Sequence, residues 1–362
     1  MTSSRLRVGF VPEHFSTPIH FAQKHYGLDA ELIPFPSGTG HMITALRAGE
    51  IDVGIGLTEG WVAGLGKAQE AGDKDGGYRL IGTYVETPLC KHNNLPTICN
   101  LPDAVACPIF SFFLPSPHPP LGSTPWMLTW FPPPLFSTLS KGWAISTGAE
   151  RPEIRTVDSL QGGKIGVSRI GSGSYVMGYV LAEERGWLVP TAGVGSDKEQ
   201  AAPYSDIVVL NTFENLRKAV NSGEADFFMW EHFTSKRYYD KGEIRKIGEI
   251  YTPWSSWKIV ASTRLIQGDG NPDAAVENLL KKLDQGIKHF NENKEEAVKY
   301  ISTELDYSEE DAREWLKTVR FPERTRGVDA KVVIQTVETL CTAGVLKINS
   351  GVDASSMIAK QR

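Results

Sequence analysis

Three glutamates stand just beyond apolar, strand-like runs of the sequence. Glu13 follows LRVGFVP, Glu59 follows IDVGIGL by one residue, and Glu231 follows ADFFMW. Carboxylates in such places suit a cationic or amine-bearing ligand, or a pyrimidine-like ring with N–H donors. They could also do acid–base chemistry, although nothing in the sequence requires it. The alternative, that all three are solvated loop charges, stays open at this point.

Two short loops rich in small and hydroxyl residues precede predicted helices. The loops are SGTG, with Ser37, Gly38 and Thr39, and GSGS, with Ser172, Gly173 and Ser174. Hydroxyls and free backbone N–H groups at the start of a helix can hold a sulfonate, phosphate or carboxylate. Plain N-capping is the alternative, because every helix needs partners for its first N–H groups.

Aromatic and histidine side chains complete the set of candidate binding residues. Trp143, Trp230 and Trp254 could stack on a flat ring or pack in a hinge or core. His14 could bond a ligand or lie at the rim of a site, and Thr58 precedes Glu59 on the same predicted loop.

The sequence contains no recognisable metal or catalytic motif. The eight histidines are scattered without ligand spacing, and no two of the four cysteines have C-x-x-C spacing. No Ser–His–Asp or Cys–His arrangement has a recognisable context either. We therefore expect no metal and no cofactor.

The hydrophobic pattern predicts strands alternating with helices. The predicted strands are LRVGFVP, AELIPFP, IDVGIGL, YRLIGTYVE, GGKIGVSR, DIVVLN, ADFFMW, IRKIGEIY and WKIVAST. Three helical segments follow Asn271, and we expect the first of them to break near Asn291. Such alternation is typical of an α/β fold with mostly parallel sheets. Ligands of open α/β sheets bind beyond the carboxyl ends of strands, so the candidate residues would face one cleft.

A short internal repeat links the two halves of this pattern. ALRAGEIDVGIGLTEG (45–60) resembles AVNSGEADFFMWEHF (219–233). Each has a helix end, a Gly-Glu turn, a strand that begins near an aspartate, and a glutamate near the strand's carboxyl end. The repeat suggests two similar α/β lobes that face each other.

Residues 88–142 interrupt the pattern with a proline-rich insertion. Residues 90–141 hold 11 of the 22 prolines, and their only charged side chains of the Asp, Glu, Lys and Arg types are Lys91, Asp103 and Lys141. Proline breaks every apolar run, which excludes a membrane helix. The codons that can encode this stretch include splice-like signals and a pyrimidine-rich tract. We hypothesise that residues 91–142 are translated intron, so that Cys90 joins Trp143; a genuine disordered loop is the alternative.

Composition and charge limit the partners and the setting. The formal net charge of −5 gives no reason to expect nucleic acid. No membrane partner is expected, and the residues after Met1 lack the apolar run of a secretory signal, so we expect a cytoplasmic protein. The sequence does not indicate an oligomeric state.

The motifs together resemble a known fold. ALRAGEIDVGI, the strand and helix start GGKIGVSRIGSGSY, the second unit SGEADF and a helical tail beginning NPD are similar to type II periplasmic-binding-protein-like proteins. The resemblance is to the SsuA-like group, which includes sulfonate-binding proteins and fungal thiamine-pyrimidine synthases, and is greatest to its uncharacterised fungal cytosolic members. It implies two lobes, each a mostly parallel sheet flanked by helices, and a C-terminal helical tail. Residues 1–87 and 253–362 would form the first lobe and 143–252 the second.

The resemblance implies a function as well as a fold. We expect a solute-binding-like protein that closes its lobes over a small polar metabolite, with an anionic or a heteroaromatic ligand both left open. The alternative is an enzyme related to thiamine-pyrimidine biosynthesis. Against it, the chain lacks the clustered cysteines of those synthases and a histidine between His41 and His92 that could be the sacrificial one. An interaction module with a vestigial cleft is a third possibility.

Overall fold

A computed structural model describes residues 5–88, 142–188, 203–268, 270–347 and 351–362. The chain divides into two units, Met1–Cys90 with Leu139–Arg362, and Lys91–Thr138. Only the first contains described residues. The predicted insertion at 88–142 lies outside them except for Pro88 and Gly142, so the hypothesis of a translated intron remains a prediction.

Ten strands in the described residues form two five-stranded sheets. In chain order they are β1 (Leu6–Phe10), β2 (Ala30–Pro34), β3 (Val53–Leu57), β4 (Tyr78–Pro88), β5 (Trp143–Gly148), β6 (Lys164–Val167), β7 (Asp206–Val209), β8 (Phe227–Glu231), β9 (Ile244–Ile250) and β10 (Ser255–Ser262). The first sheet has the order β2-β1-β3-β10-β4 and the second the order β7-β6-β8-β5-β9. Three strands of each sheet are parallel, whereas β10 and β5 pair antiparallel to both of their neighbours. The predicted α/β fold with mostly parallel sheets is confirmed.

Ten α-helices in the described residues flank these sheets and form the tail. They are α1 (Thr17–Tyr26), α2 (Thr39–Ala48), α3 (Thr58–Glu70), α4 (Gly173–Glu184), α5 (Phe213–Ser222), α6 (His232–Asp240), α7 (Ala274–Glu292), α8 (Lys294–Glu304), α9 (Glu309–Leu316) and α10 (Ala330–Thr342). The predicted break in the tail falls at Asn293, between α7 and α8. Sequence reasoning missed α6, whose HFTSKRYYD has no apolar stripe of helical period.

The two copies of the internal repeat form the same helix–turn–strand unit, one in each sheet. Helix α2 ends at Gly49 and α5 at Gly223, and both glycines adopt the left-handed conformation, with φ of 71° and 79°. That conformation strains any residue with a Cβ and accounts for Gly-Glu at both turns. The strands that follow, β3 and β8, lie beside β1 and β6 in parallel register. The prediction of two similar α/β lobes is therefore confirmed.

Two chain crossings join the sheets side by side. At the end of the first sheet, Pro88 of β4 pairs with Ser255 of β10. At the start of the second, Trp143 of β5 pairs with Ile250 of β9. The segment WAISTG is not among the predicted strands, but it forms β5, which lies between β8 and β9 in the second sheet. Only four residues, 251–254, separate β9 from β10, so the lobes lie close together at this point.

Candidate functional site

A cleft lies between the carboxyl ends of the parallel strands of the two sheets. It contains a cavity of about 70 Å³ that both lobes line. A second cavity of about 200 Å³ shares Val11, Glu13, Pro36 and Trp230 with the first and extends between α6 and the tail. A cleft of this size suits a small molecule rather than a polymer.

Ten of the fourteen residues predicted for the site line the first cavity. They are Glu13, Ser37, Gly38, Thr39, Trp143, Ser172, Gly173, Ser174, Trp230 and Glu231. The other four, His14, Thr58, Glu59 and Trp254, are buried and are not among its lining residues. The rule that ligands meet the carboxyl ends of strands therefore selects side chains that come together in space.

Glu59 was predicted on a loop but lies in the first turn of α3, because that helix begins directly after β3. Its side chain is fully buried. Oε2 accepts a hydrogen bond of 3.1 Å from Trp254 Nε1, while Oε1 has no hydrogen-bond partner among the residues that the structure describes. Burial raises the pKa of Glu59 to about 7. The alternative of a solvated loop charge is therefore wrong for this residue.

Glu13 and Glu231 come from opposite lobes and influence each other. Burial raises the pKa of Glu13 to about 8, and the charge of Glu231 adds to the rise. Burial also raises the pKa of Glu231 to about 7, although Oε2 accepts 2.8 Å and 3.1 Å hydrogen bonds from the backbone N and Oγ1 of Thr234. Close to neutral pH these groups can therefore exchange protons with a ligand.

His14 lies behind Glu231 rather than at the rim. Its Nε2 is 3.8 Å from Glu231 Oε2, and neither ring nitrogen has a hydrogen-bond partner within the described part of the chain. The ring packs against Phe15, Tyr307 and Trp315 at centroid distances of 4.6, 4.6 and 4.3 Å. Burial lowers the pKa of His14 well below its usual value, so this imidazole is neutral.

Three hydroxyls of the two glycine-rich loops, those of Thr39, Ser172 and Ser174, have hydrogen-bond partners within the protein. Ser172 Oγ caps α4 by accepting a 3.3 Å bond from the Tyr175 backbone N, as the N-capping alternative predicted. Thr39 Oγ1 accepts a 2.9 Å bond from the Leu57 backbone N. Helix α2, however, starts after Gly38 without a side-chain cap. Its first N–H groups are therefore better placed than those of α4 to meet an anion.

The three predicted tryptophans have different positions. Trp143 and Trp230 line the cavity, and Phe213 stacks on Trp230 at 5.0 Å. Trp254 lies in the crossing between β9 and β10, where it holds Glu59. Sequence reasoning missed Trp257, which stacks on Phe15 at 5.1 Å and lines the cavity with it. The alternating pattern of β10 does not say which of its faces meets the cleft.

Sequence reasoning also missed Arg169, a charged residue of the second lobe that lines the first cavity. It follows β6 as Glu13 follows β1, so the same strand-end rule could have found it. The guanidinium is half-buried, and NH1 donates a 2.7 Å hydrogen bond across the cleft to the Ser37 carbonyl. Burial lowers the pKa of Arg169. An arginine nevertheless stays charged at any pH that proteins tolerate.

One cluster of metal-type ligands occurs in the described residues, away from the cleft. His25, His289 and Glu296 bring their ligand atoms within 4.8 Å of one another. The two imidazoles stack at 4.2 Å with an angle of 17° between their planes. Their lone pairs lie in nearly parallel planes, which does not suit one shared ion. The hydrogen bond from His289 and the nearby Lys24 instead lower the pKa of Glu296 to about 2.

Solved structures of periplasmic binding proteins share this architecture. The aliphatic sulphonate binding protein SsuA from Escherichia coli matches with a TM-score of 0.61 at 16% identity, over 100% of this chain and 94% of that one. The alkanesulfonate-binding protein SsuA from Xanthomonas axonopodis pv. citri, bound to MOPS, matches with a TM-score of 0.62 at 15% identity, over 98% of both chains. The fold is thus that of the type II periplasmic-binding-protein-like proteins, as the sequence predicted.

A more similar solved structure identifies the family. The Candida albicans CA3427 gene product, described as defining a new family with the generic periplasmic binding protein fold, matches with a TM-score of 0.73 at 34% identity. The match covers 99% of this chain and 97% of that one. The model of Ca3427-like periplasmic binding proteins matches residues 143–250. The chain belongs to this Ca3427-like family. No curated protein sequence matches it.

Proposed function

We propose that this protein binds a small polar metabolite in its cleft and closes its two lobes around it. The observation that carries the proposal is the contact of Arg169 with Ser37, since it joins the two lobes directly over the cavity. A cavity lined by aromatic rings with a few convergent polar groups is typical of small-molecule sites. Bound ligand would favour the arrangement in which both lobes contact it.

Contacts at the mouth of the cleft support a closed arrangement. Helix α6 of the second lobe meets the segment of the tail before and within α9. Thr234 Oγ1 lies 3.0 Å from Tyr307 OH, and Lys236 Nζ lies 3.3 Å from Asp311 Oδ1. Arg237 also forms an ion pair with Asp306. The cations of both ion pairs are partly exposed, although Asp311 is buried, and such ion pairs are weak enough to break when the lobes open.

The structural relatives support a small-molecule ligand, but they do not indicate which small molecule this chain binds. The two SsuA proteins are described as binding sulfonates, and one of them is bound to MOPS. We extend to this chain only the binding of a small molecule between lobes, with residues 1–87 and 253–362 as one lobe and 143–252 as the other. A cytosolic setting is part of the proposal. In the described residues, no helix has the length and apolar character needed to cross a membrane.

The proposal is tested by adding the small-molecule fraction of cells to the purified protein and measuring its melting temperature. We expect stabilisation of the wild type, because a ligand that binds only the folded state raises its stability. Glu59→Ala should respond much less, whereas Glu70→Ala, at the other end of α3, should respond as the wild type does. An unchanged melting temperature of the wild type with fractions from several growth conditions would contradict the proposal.

A further inference from the structure

Arg169 is a cation in the cleft, and the described residues give it no anionic partner. No carboxylate of the described residues lies within ion-pair distance of its guanidinium, and the only hydrogen bond of its side chain in this part of the chain goes to the Ser37 carbonyl. A half-buried guanidinium with one neutral partner has most of its five donors left to offer. It lies against Gly40 in the first turn of α2, the helix that starts without a side-chain cap. Guanidinium and helix start together favour an anionic group.

Glu13 and Glu231 form the opposite pole of the same cavity. Neither carboxyl group has a Lys or Arg ion-pair partner among the described residues, and the nearest basic ring, His14, is neutral. Beside Gly173 at the start of α4, the fully buried Oε1 of Glu59 has no hydrogen-bond partner among the described residues. Thr234 donates two hydrogen bonds to Glu231, but no cation among the described residues offsets the charge that Glu13 or Glu231 carries when it ionises. Keeping such groups away from water is costly, so the cleft favours a ligand that donates protons or carries positive charge.

The two poles lie in neighbouring positions of the fold. Glu13 follows β1 and Ser37 follows β2, which are adjacent strands of the first sheet. Arg169 follows β6 and Glu231 ends β8, which are adjacent strands of the second. Neighbouring strands lie about 4.8 Å apart. A ligand only a few bonds long could therefore contact both poles.

We propose that the ligand is a small zwitterion, whose anionic group binds Arg169 and the start of α2 and whose protonated nitrogen binds Glu13 and Glu231. This inference rests on the proposed function of the cleft. A simple anion would leave the two glutamates without a cationic partner, and a simple cation would leave the arginine without an anionic one. A molecule that carries both charges satisfies both poles at once.

Proton release provides a signature of the carboxyl pole. A cation beside Glu13 and Glu231 would lower pKa values that burial now raises, so binding near pH 7 should release protons. The charged or titratable groups that face this pair are His14, Tyr239 of α6 and, from the tail, Tyr307 and Asp311. Burial raises the pKa of Tyr239 to about 12, so it stays protonated near pH 7. His14 and Tyr307 keep their protonation at this pH because burial shifts both far from neutrality.

The test uses the full chain and sets of matched compounds at pH 7. Each set holds a zwitterion and the two ions that lack one of its charges: β-alanine with propionate and propylamine, γ-aminobutyrate with butyrate and butylamine, and aminoethylphosphonate with ethylphosphonate and ethylamine. Calorimetric titration in buffers of different ionisation enthalpy gives both affinity and released protons. We expect at least one zwitterion to bind roughly tenfold or more tightly than both of its partners, with release of protons.

Variants assign each charge to its pole. Arg169→Gln should remove the preference for the zwitterion over the matched amine. Glu231→Gln should remove the preference for the zwitterion over the matched anion, and it should also remove much of the proton release. Arg185→Gln, at the other end of α4, and Glu224→Gln, before β8, are the matched controls and should bind as the wild type does.

Three results would overturn the zwitterion proposal. They are an anion that binds as well as its zwitterion, an amine that does so, and a set of zwitterions none of which exceeds its matched ions. In each case the proposed function still stands if the cellular small-molecule fraction stabilises the protein, and it fails separately if that fraction does not.

Discussion

Glu59 shows how a single residue links the fold to the site. One carboxyl oxygen holds Trp254 in the crossing between the lobes, and the other meets Gly173 at the start of α4 with no hydrogen-bond partner. Burial favours its protonated form. Without ligand, this group makes the folded protein sensitive to pH in the range where cells operate.

The stability of the ligand-free protein should fall as pH rises from about 4.5 to about 7. Glu59 has a pKa of about 7 in the folded state and an ordinary value of 4.5. The folded state therefore binds more protons than the unfolded state in this window, and the stabilisation present below pH 4.5 is lost as pH rises. Each pKa unit corresponds to about 1.4 kcal/mol, so Glu59→Gln should reduce the fall by up to about 3 kcal/mol.

Urea unfolding at several pH values measures this effect. Glu70→Gln serves as the control, because Glu70 lies at the partly exposed end of the same helix. A Glu59→Gln profile with the same slope as the wild type would contradict the burial argument.

Lys258 predicts a pH dependence of the opposite sign. It is buried in β10, and burial lowers its pKa from 10.5 to about 7. Here the unfolded state binds more protons between these values, so stability should rise with pH from about 7 to about 10. Lys258→Met keeps an unbranched chain without charge, and should raise the free energy of unfolding at pH 7 by several kcal/mol and remove the rise. Equal stability of the variant and the wild type at pH 7 would contradict this prediction.

The sequence predicted the site residues better than their roles. The strand-end rule selected Glu13, Trp230 and Glu231, which do line the cavity. The sequence left a binding role and a capping role open for Thr39 and Ser172, whose hydroxyls accept hydrogen bonds from backbone N–H groups, because hydrogen-bond partners depend on packing. Their binding roles remain predictions that only a bound ligand can test.

At the scale of elements, glycines set how closely the lobes approach. A Cβ built at Gly173, the first residue of α4, would lie 2.6 Å from Trp143, 2.9 Å from Leu57 and 3.0 Å from Glu59 Oε1. Trp143 belongs to the second lobe, as Gly173 does, whereas Leu57 and Glu59 belong to the first sheet and its helix. A side chain at the start of α4 would therefore press on both lobes in this arrangement.

Gly173→Val should keep the lobes apart without unfolding them. We expect ligand affinity to fall at least roughly tenfold, because the closed arrangement becomes sterically blocked. The radius of gyration from X-ray scattering with ligand should exceed that of the wild type. Gly268→Val is a suitable control, since a Cβ at Gly268 meets nothing within 4 Å. Wild-type affinity and dimensions in Gly173→Val would contradict this description of the interface.

The lengths of the two crossings between the lobes can be compared with and without the insertion. The return crossing needs only four residues between Ile250 and Ser255. A chain with Cys90 joined to Trp143 would have two residues, Leu89 and Cys90, between Pro88 and the start of β5. The two crossings would then be similarly short, and a long closed loop would no longer cost conformational entropy.

We predict that the protein without residues 91–142 folds cooperatively and melts at or above the temperature of the full chain. Circular dichroism with thermal unfolding measures both properties. A shortened chain that aggregates or melts well below the full chain would contradict the prediction. Sequencing cDNA across residues 90–143 tests the intron hypothesis itself, which fails if most transcripts retain the segment.

At the scale of the whole molecule, the fold was predictable because its signals are regular. Alternating apolar runs and helical stretches gave two α/β halves, and the repeat around Gly49 and Gly223 related them. The closeness of the lobes was not predictable, since it depends on contacts such as Arg169 with Ser37 between residues 132 positions apart. Local sequence patterns carry no information on pairs of this kind.

The central claim is that this molecule closes on a small metabolite in its own cells. Native mass spectrometry of the protein, purified gently from its host, tests the claim most directly. We predict a complex heavier than the chain by a few hundred daltons or less, which disappears in Arg169→Gln or Glu231→Gln. A clean ligand-free mass, from protein harvested under several growth conditions and confirmed as folded, would contradict it.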